Sequence, residues 1–346
     1  MVPYIVMAFL PLGLAFWYKD IDVDKTQKRN YLIFVGLFLF VFLGARSSLL
    51  GSTDTLNYCN MMRKAIGSGS WRQFYDEDGV ETGFQFFTFC LSRIFRGSQF
   101  IIFASAFIYV VSICYFIYHN SDDAPLSLTM YITLGMMTFE MQGMRQSIAM
   151  SVCLFAYEFA KHKKFMKFLL LVLLAMQFHQ TAVVFIIIYF LINLKFTIPN
   201  LVLIFMGSFL AVFFAEKIIG VANNVFDMEY NNTVDEGGTI ATLIYLIIII
   251  TTFWFNKRLQ YNGNATKLLY VAILGGVCYI LRYFGALASE RISFYFIFSL
   301  LALLPNTLKS LQIEESSFVR TLVIILSIGL FVYRLQGSDF IPYSFY

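Results

Sequence analysis

The chain is poor in charged residues, which make up only 13% of its 346 positions. An average soluble domain carries about a quarter. Hydrophobic residues reach 59% and aromatic residues 18%. A single aqueous core cannot hide that much apolar surface. The composition therefore excludes an ordinary soluble enzyme and indicates a protein that crosses a membrane several times. Nothing in it indicates a nucleic-acid partner.

Cysteine and histidine are also scarce, and neither is spaced as in a metal site. The five cysteines form no Cys-x-x-Cys pair, so we interpret them as small apolar core residues. The three histidines, His119, His162 and His179, form no His-Glu-x-x-His pattern. We therefore expect no metal ligands and no bound cofactor.

The apolar runs predict an all-α polytopic fold of about twelve transmembrane helices, in one integral membrane domain over residues 1–346. Several runs are shorter than the ~20 residues of a straight span, which indicates a thinned bilayer or helix ends buried in protein. The first run lacks the basic leader and cleavage site of a signal peptide, so we expect it to be retained. The candidate spans are 2–18, 30–46, 98–118, 127–141, 144–160, 165–179, 180–194, 197–216, 239–256, 268–285, 290–305 and 319–335.

Basic loops give the predicted orientation. Lysine and arginine cluster at 19–30, 161–167 and 256–267, which places these loops in the cytoplasm and the N-terminus outside. Residues 47–97 and 217–238 then form the two long outer loops. Within the first, segment 81–97 is short and charged. We interpret it as an amphipathic helix that lies along the outer surface or dips into the membrane and returns.

Most arginines fall on the outer side in this topology, whereas nearly all lysines fall inside. The positive-inside rule explains the lysines but not the outer arginines. Arg46, Arg145, Arg282 and Arg291 all lie near span ends, where their charges would repel unless an anion lay between them. Because guanidinium grips phosphate at two points, we predict that these four hold a lipid diphosphate. For each one taken singly, snorkelling to lipid headgroups is the alternative.

Two outer stretches carry hydrogen-bonding side chains suited to sugars. In "GSTDTLNY" (51–58), Thr53 and Tyr58 are candidate substrate-binding residues. Asp54 in the same stretch is a candidate base, a partner for an arginine, or a simple helix cap. Gln146, next to Arg145 in "MRQSIAMS", is a further candidate substrate contact.

Two ionisable residues on the outer side are candidates for proton transfer. Glu81 in "ETGF" precedes an aromatic run at the interface, where burial or a neighbouring arginine would shift its pKa, and it is a candidate base or orienting residue. Its alternative role is to complement a helix dipole. His179 in "FHQTA" is the one outer histidine in this topology, and imidazole accepts a proton near neutral pH. Its alternative is a buried histidine bonded to a backbone carbonyl.

Four motifs follow one another along the chain: "RSSLLGSTDTLNY", "ETGF", "MRQSIAMS" and "FHQTA". In this order and spacing they resemble the EpsG/Wzy-type bacterial polysaccharide polymerases. That family has an arginine before Gly-x-Asp-x-x-x-Tyr, then Glu-x-Gly-Phe, Arg-Gln at the head of a span, and His-x-x-Ala. The resemblance covers residues 40–190 well, and the remainder matches as a hydrophobic chain with a late arginine pair. Gln-Thr follows His179 where the family often has lysine or serine. This difference concerns the residues expected to contact the acceptor sugar.

The resemblance implies a helical membrane fold similar to the GT-C glycosyltransferases, without a metal requirement. It implies a bacterial cytoplasmic membrane protein whose active site faces outside. The substrates would be oligosaccharide repeat units on undecaprenyl diphosphate. The growing chain would leave its carrier for the non-reducing end of an incoming unit, giving O-antigen, capsule or exopolysaccharide. A chain-length regulator is a further partner that such a family allows.

In such a reaction the arginines would stabilise the leaving diphosphate. The acceptor hydroxyl needs a base, for which His179 is favoured over Glu81 and Asp54, and one in-line attack predicts inversion. Two other classes stay open: a flippase of the same lipid-linked unit, and another lipid-linked glycosyl or acyl transferase. A flippase carries charge in a central cavity and often has repeated halves. Here the charge gathers on one face and no repeat is visible.

Overall fold

The computed structural model describes residues 1–18, 21–50, 53–77, 79–194, 197, 199–200, 202–204, 206–207, 242–243, 245–250, 263–280, 287–309 and 313–346. The described part is helical, and its one β-bridge joins Arg46 to Phe345. The all-α prediction is confirmed. The predicted loop 217–238 and most of the predicted spans 197–216 and 239–256 lie outside the described residues.

Aspartate side chains cap the N-termini of two helices, α2 and α7. The Asp24 carboxylate accepts from Thr26 N at 2.7 Å, and the Asp123 carboxylate accepts from Leu126 N at 2.9 Å. The first helices are α1 Val2–Ala15, α2 Lys25–Gly44, α3 Thr53–Gly67, α4 Trp71–Phe74, α5 Thr82–Ile94, α6 Phe100–Asn120, α7 Ala124–Thr133, α8 Met136–Gln142, α9 Met144–Lys161 and α10 Phe165–Met176. They are followed by a 3₁₀ helix Gln180–Phe185, α11 Ile186–Leu191, α12 Gly263–Ile280, α13 Leu287–Ile297, α14 Leu300–Lys309 and α15 Ile313–Leu335.

Within the described residues, three helices are long and apolar enough to cross a membrane alone: α2, α6 and the Ser316–Leu335 part of α15. Segments Glu290–Ile297 and Leu300–Lys309 form a fourth span if their 43° bend is included. Shorter apolar helices match further predicted spans at Val2–Ala15, Phe165–Met176, Gln180–Leu191 and Lys267–Ile280. These helices fit an integral membrane protein, while the twelve-span count and the GT-C-like architecture stay predictions.

Helices α2 and α6 lie side by side and antiparallel, which separates two polar ends of the molecule. At one end Lys28 Nζ donates to the carbonyl of Tyr118 at 3.0 Å. At the other end Gln99 Nε2, just before α6, donates to the carbonyl of Arg46 at 2.8 Å. The described parts of the loops predicted to be cytoplasmic lie at the first end, where Lys161 Nζ donates to Asn120 Oδ1 at 3.0 Å. The described parts of the motifs predicted to be outer lie at the second end, where Arg46 Nη1 donates to Thr55 Oγ1 at 3.4 Å.

The predicted span 127–141 is not one continuous helix, because the chain breaks between α7 and α8. Gly135 has φ +94°, a left-handed conformation that favours glycine, and it interrupts the helix. The freed carbonyl of Leu134 accepts from Tyr245 Oη at 3.0 Å and from Arg334 Nη1 at 3.5 Å. A broken helix at membrane depth needs such internal partners, since lipid supplies none.

The described part of the predicted outer loop 47–97 is largely helical and carries α3, α4 and α5. Helix α5 covers most of the predicted amphipathic segment 81–97. Its inner face includes Phe84, which is fully buried against α3, whereas Phe86 is 58% exposed. Trp71 of α4 stacks on Tyr75 and packs edge-on against Phe86. This arrangement places the start of α5 directly beside the turn that follows α10.

Candidate active site

Glu81 lies at the centre of a cluster drawn from separate parts of the chain. Its Oε1 contacts His179 Nδ1 at 2.9 Å and accepts from the backbone N–H of Gln180 at 3.3 Å. Its Oε2 forms an ion pair with Arg145 Nη1. One carboxylate therefore holds an imidazole from the turn after α10 and a guanidinium from the first turn of α9.

Gly83 explains how Glu81 reaches His179. A Cβ atom at residue 83 would lie 2.5 Å from both the Cβ and the carbonyl oxygen of Gln177. With glycine there, the start of α5 docks against this backbone, and Phe84 N donates to the Gln177 carbonyl at 3.2 Å. The Glu-x-Gly-Phe motif thus combines the candidate carboxylate with the glycine that allows its close approach to the turn after α10.

The tautomer of His179 follows from the charge of Glu81. Burial raises the pKa of Glu81, but the hydrogen bond with His179 and the charge of Arg145 outweigh it and bring the pKa to about 2. The carboxylate is therefore ionised near neutral pH and can accept a proton from His179 Nδ1. In the neutral imidazole that donates from Nδ1, the lone pair lies on Nε2. His179 is 8% exposed, and its Nε2 is buried without a hydrogen-bond partner among the described residues. Among the described residues, Nε2 is thus the ring nitrogen of His179 that no protein group contacts by a hydrogen bond.

Arg145 is fixed at two nitrogens and open at the third. Nε donates to Tyr58 Oη at 2.8 Å, and Nη1 binds Glu81. In the described parts of the chain Nη2 makes no hydrogen bond, and the side chain is 26% exposed. Burial raises the pKa of Tyr58 against the opposing charge of Arg145, so its phenol stays protonated. A guanidinium oriented in this way can offer its free N–H groups to an anion.

Comparison with known proteins identifies the chain at this point. The family model described as EpsG family matches residues 29–345. The chain belongs to the EpsG family. No curated protein and no solved structure matches it. The resemblance seen in four motifs is confirmed and extends over nearly the whole chain, which supports a glycosyltransferase-like polysaccharide polymerase in the membrane.

The four arginines predicted to hold a diphosphate occupy different surroundings in this EpsG-family protein. Arg145 is in the cluster, and Arg291, the fifth residue of the neighbouring helix α13, is exposed. Gln146 Nε2 donates to the Arg291 carbonyl at 2.6 Å, which ties α13 to the first turn of α9. Arg46 is only 2% exposed and points into the interior. Arg282 lies outside the described residues.

The predicted sugar contacts are also placed differently. Tyr58 is 5% exposed, and its hydroxyl accepts a hydrogen bond from Arg145. The Gln146 amide is buried and donates a hydrogen bond to the backbone carbonyl of Arg291. Asp54 lies half-buried in the first turn of α3, one turn before Tyr58, and Thr53 begins that helix. The structure therefore brings Tyr58, Glu81, Arg145 and His179 together and makes two of them supports for the other two.

Sequence reasoning missed a buried carboxyl group near this cluster. Glu140 of α8 is 5% exposed and bonds to the hydroxyl of Tyr131. With Ser151 and Tyr295 it lines an enclosed cavity of about 20 Å³, room for roughly one water. The Tyr295 hydroxyl bonds to Thr181 at 3.2 Å, two residues after His179. A charge within an apolar span is the signal that marks Glu140 in the sequence.

Metal ligands are not gathered in the described ranges. No group of three or more histidine, cysteine, aspartate or glutamate side chains there lies close enough to hold a metal ion. The charged groups of the candidate site are instead the guanidinium of Arg145 and the carboxylate of Glu81.

Proposed function

We propose that the protein polymerises oligosaccharide repeat units carried on undecaprenyl diphosphate. The reaction takes place at the outer face of the bacterial cytoplasmic membrane. The growing glycan leaves its lipid carrier and joins the non-reducing end of an incoming lipid-linked unit. Family membership, the apolar helices, and the cluster of Glu81, His179 and Arg145 at one end of the helices support this proposal.

Arg145 binds the diphosphate of the donor. Breaking the bond from the anomeric carbon to the phosphate oxygen moves negative charge onto the leaving diphosphate. The open Nη2 of Arg145 is a pre-oriented donor for that charge, and Arg291 on the adjoining helix adds a second guanidinium. Removing one such donor costs ~3–4 kcal/mol of transition-state stabilisation in comparable oxyanion sites. Arginine supplies the charge compensation in this proposal, so the reaction is independent of a metal.

His179 takes the proton of the acceptor hydroxyl. Nε2 receives the proton while the acceptor oxygen attacks the anomeric carbon, and the electron pair of the broken bond leaves with the diphosphate. Glu81 orients the imidazole and stabilises its protonated form, as the carboxylate does in Asp–His pairs. Since the pKa of Glu81 is about 2, its carboxylate is itself a weak base. A single in-line displacement inverts the anomeric configuration.

The observation that carries the proposal is the link from His179 through the Glu81 carboxylate to Arg145. Within the described ranges, Nε2 of His179 and Nη2 of Arg145 both lack a hydrogen-bond partner. The test places purified protein in vesicles with the lipid-linked repeat unit on the side of the cluster, and product lengths are read on a gel. We expect Arg145→Ala to leave single repeat units on the lipid. Arg96→Ala, an exposed outer arginine on no catalytic element, is the matched control and should give normal polymer.

Polymer of unchanged length from Arg145→Ala would remove the phosphate-binding role. A protein that moves the lipid-linked unit across the vesicle membrane without lengthening it would instead be a flippase. The vesicle assay separates the two, because a polymerase lengthens glycan that never changes sides.

A further inference from the structure

Arg46 is buried at the outer end of α2, and its side chain contacts protein rather than solvent. Nη1 donates to the carbonyl of Leu50 at 3.3 Å and to the hydroxyl of Thr55 at 3.4 Å. Its backbone is held as well. Gln99 Nε2 donates to the Arg46 carbonyl, and Ser47 N donates to Ser344 O at 2.9 Å. A diphosphate can reach this guanidinium only by displacing these contacts.

Hydrogen bonds made by helix α3 connect Arg46 to the region around Arg145. The Thr55 hydroxyl, which accepts from Arg46, donates to the carbonyl of Met141 at 3.1 Å. Met141 is in the last turn of α8, three residues before α9 begins at Met144, and the first turn of α9 carries Arg145. Tyr58 follows Thr55 by three residues, so it lies on the same face of α3, and its hydroxyl holds Arg145 Nε.

We propose that Arg46 is a positioning residue: it holds the Leu50 carbonyl before α3 and the Thr55 hydroxyl within α3, and α3 in turn presents Tyr58 to Arg145. The inference rests on the proposed function, since the step that it supports is diphosphate binding by Arg145. Arginine suits the position because its planar fork fixes direction as well as charge. Arg46 then affects the reaction without touching the substrate.

The test uses Arg46→Lys, Thr55→Val and Tyr58→Phe in the full-length protein. We expect Arg46→Lys and Thr55→Val each to lower kcat about tenfold, with little change in the KM of the lipid-linked donor, because a shift in Arg145 weakens transition-state contacts. In the Tyr58→Phe background, Arg46→Lys should lower kcat by less than about twofold, since the hydrogen bond from Arg145 to Tyr58 is already absent. Thr129→Val is the matched control: Thr129 is equally buried, but its hydroxyl bonds within its own helix α7.

Hydrogen–deuterium exchange supplies a readout that does not depend on activity. Arg46→Lys and Thr55→Val should speed exchange in α3, while α10 stays as slow as in the wild type. The proposal is overturned if exchange in α3 is unchanged in the variants, inorganic pyrophosphate binds Arg46→Lys more weakly, and Arg46→Lys still lowers kcat about tenfold in the Tyr58→Phe background. Those results would assign Arg46 to direct phosphate contact.

The two proposals fail in different ways. If the wild-type protein does not lengthen lipid-linked glycans, the proposed function fails, whereas faster exchange in α3 of the Arg46 and Thr55 variants would still establish the anchoring. If the wild type polymerises and Arg46→Lys leaves α3 unchanged, the positioning role fails and the polymerase stands.

Discussion

Gly83→Ala is the sharpest perturbation that the structure offers, because one methyl group acts on one contact. The new Cβ would lie 2.5 Å from the Gln177 carbonyl oxygen and 2.5 Å from the Gln177 Cβ. Favourable non-bonded contacts begin at about 3.5 Å, so the start of α5 has to move by about 1 Å. Gln177 cannot yield easily, since its carbonyl belongs to the turn that carries His179.

That displacement acts directly on the distance between Glu81 and His179. A hydrogen bond of 2.9 Å lengthened by about 1 Å is no longer a hydrogen bond. His179 then loses the partner that fixes its tautomer. Misplacement of catalytic groups by about 1 Å costs on the order of 10²-fold in rate. Overpacking of this kind also costs about 1–3 kcal/mol of stability.

The assay measures kcat for polymer formation together with the melting temperature of the purified protein. Gly329→Ala in α15 is the control, because a Cβ there meets nothing within 4 Å. We expect Gly329→Ala to retain full activity and Gly83→Ala to lose about 10²-fold while remaining folded. Full activity in Gly83→Ala would refute the view that the approach of α5 to Gln177 positions the catalytic pair.

Three further outcomes follow from the same geometry. Arg145→Lys should fail to make long polymer, because an ammonium cannot bind Tyr58, Glu81 and a phosphate in the directions of the guanidinium fork; normal chain lengths on a gel would contradict this. The pKa of Glu81 is lowered from 4.5 to about 2, so its ionised form stabilises the folded protein above about pH 4.5, and this contribution is lost as the pH falls through about 2. Glu81→Gln should therefore lose less melting temperature than the wild type on acidification over that range, and equal losses would exclude the carboxylate as the cause. Gly135→Ala should lower stability by about 1–3 kcal/mol, because φ is +94° and the new Cβ would lie 2.6 Å from Arg334 Nη1, whereas an unchanged melting temperature would show that the helix break is readily remodelled.

The sequence predicts the members of the candidate site better than their roles. Tyr58, Glu81, Arg145 and His179 stand out because each is polar and adjoins an apolar run, and the four motifs select the same residues. Their directions are set by tertiary packing. Tyr58, predicted to bind sugar, turns its hydroxyl to Arg145, and Glu81, an alternative base, has both oxygens occupied.

The burial of the Arg46 side chain depends on distant parts of the chain, so it could not be predicted from the neighbouring sequence. An arginine at a span end is expected to snorkel or to bind an anion. Here the segment around Ser344 and Phe345, at the other end of the sequence, crosses over residues 45–47. The break at Gly135 is similar, because its freed carbonyl is satisfied by Tyr245 and Arg334, which lie more than a hundred residues away.

The sharing of Glu81 between two groups bears on the order of events in the proposed reaction. If a diphosphate had to displace Glu81 from Arg145, binding of the donor would remove part of the support of the base. Arg145 avoids this conflict because Nη1 holds Glu81 while Nη2 has no partner among the described residues. The diphosphate can therefore bind Nη2 with the ion pair intact. The carboxylate then remains on His179 Nδ1, and Nε2 keeps its lone pair available when the acceptor hydroxyl arrives.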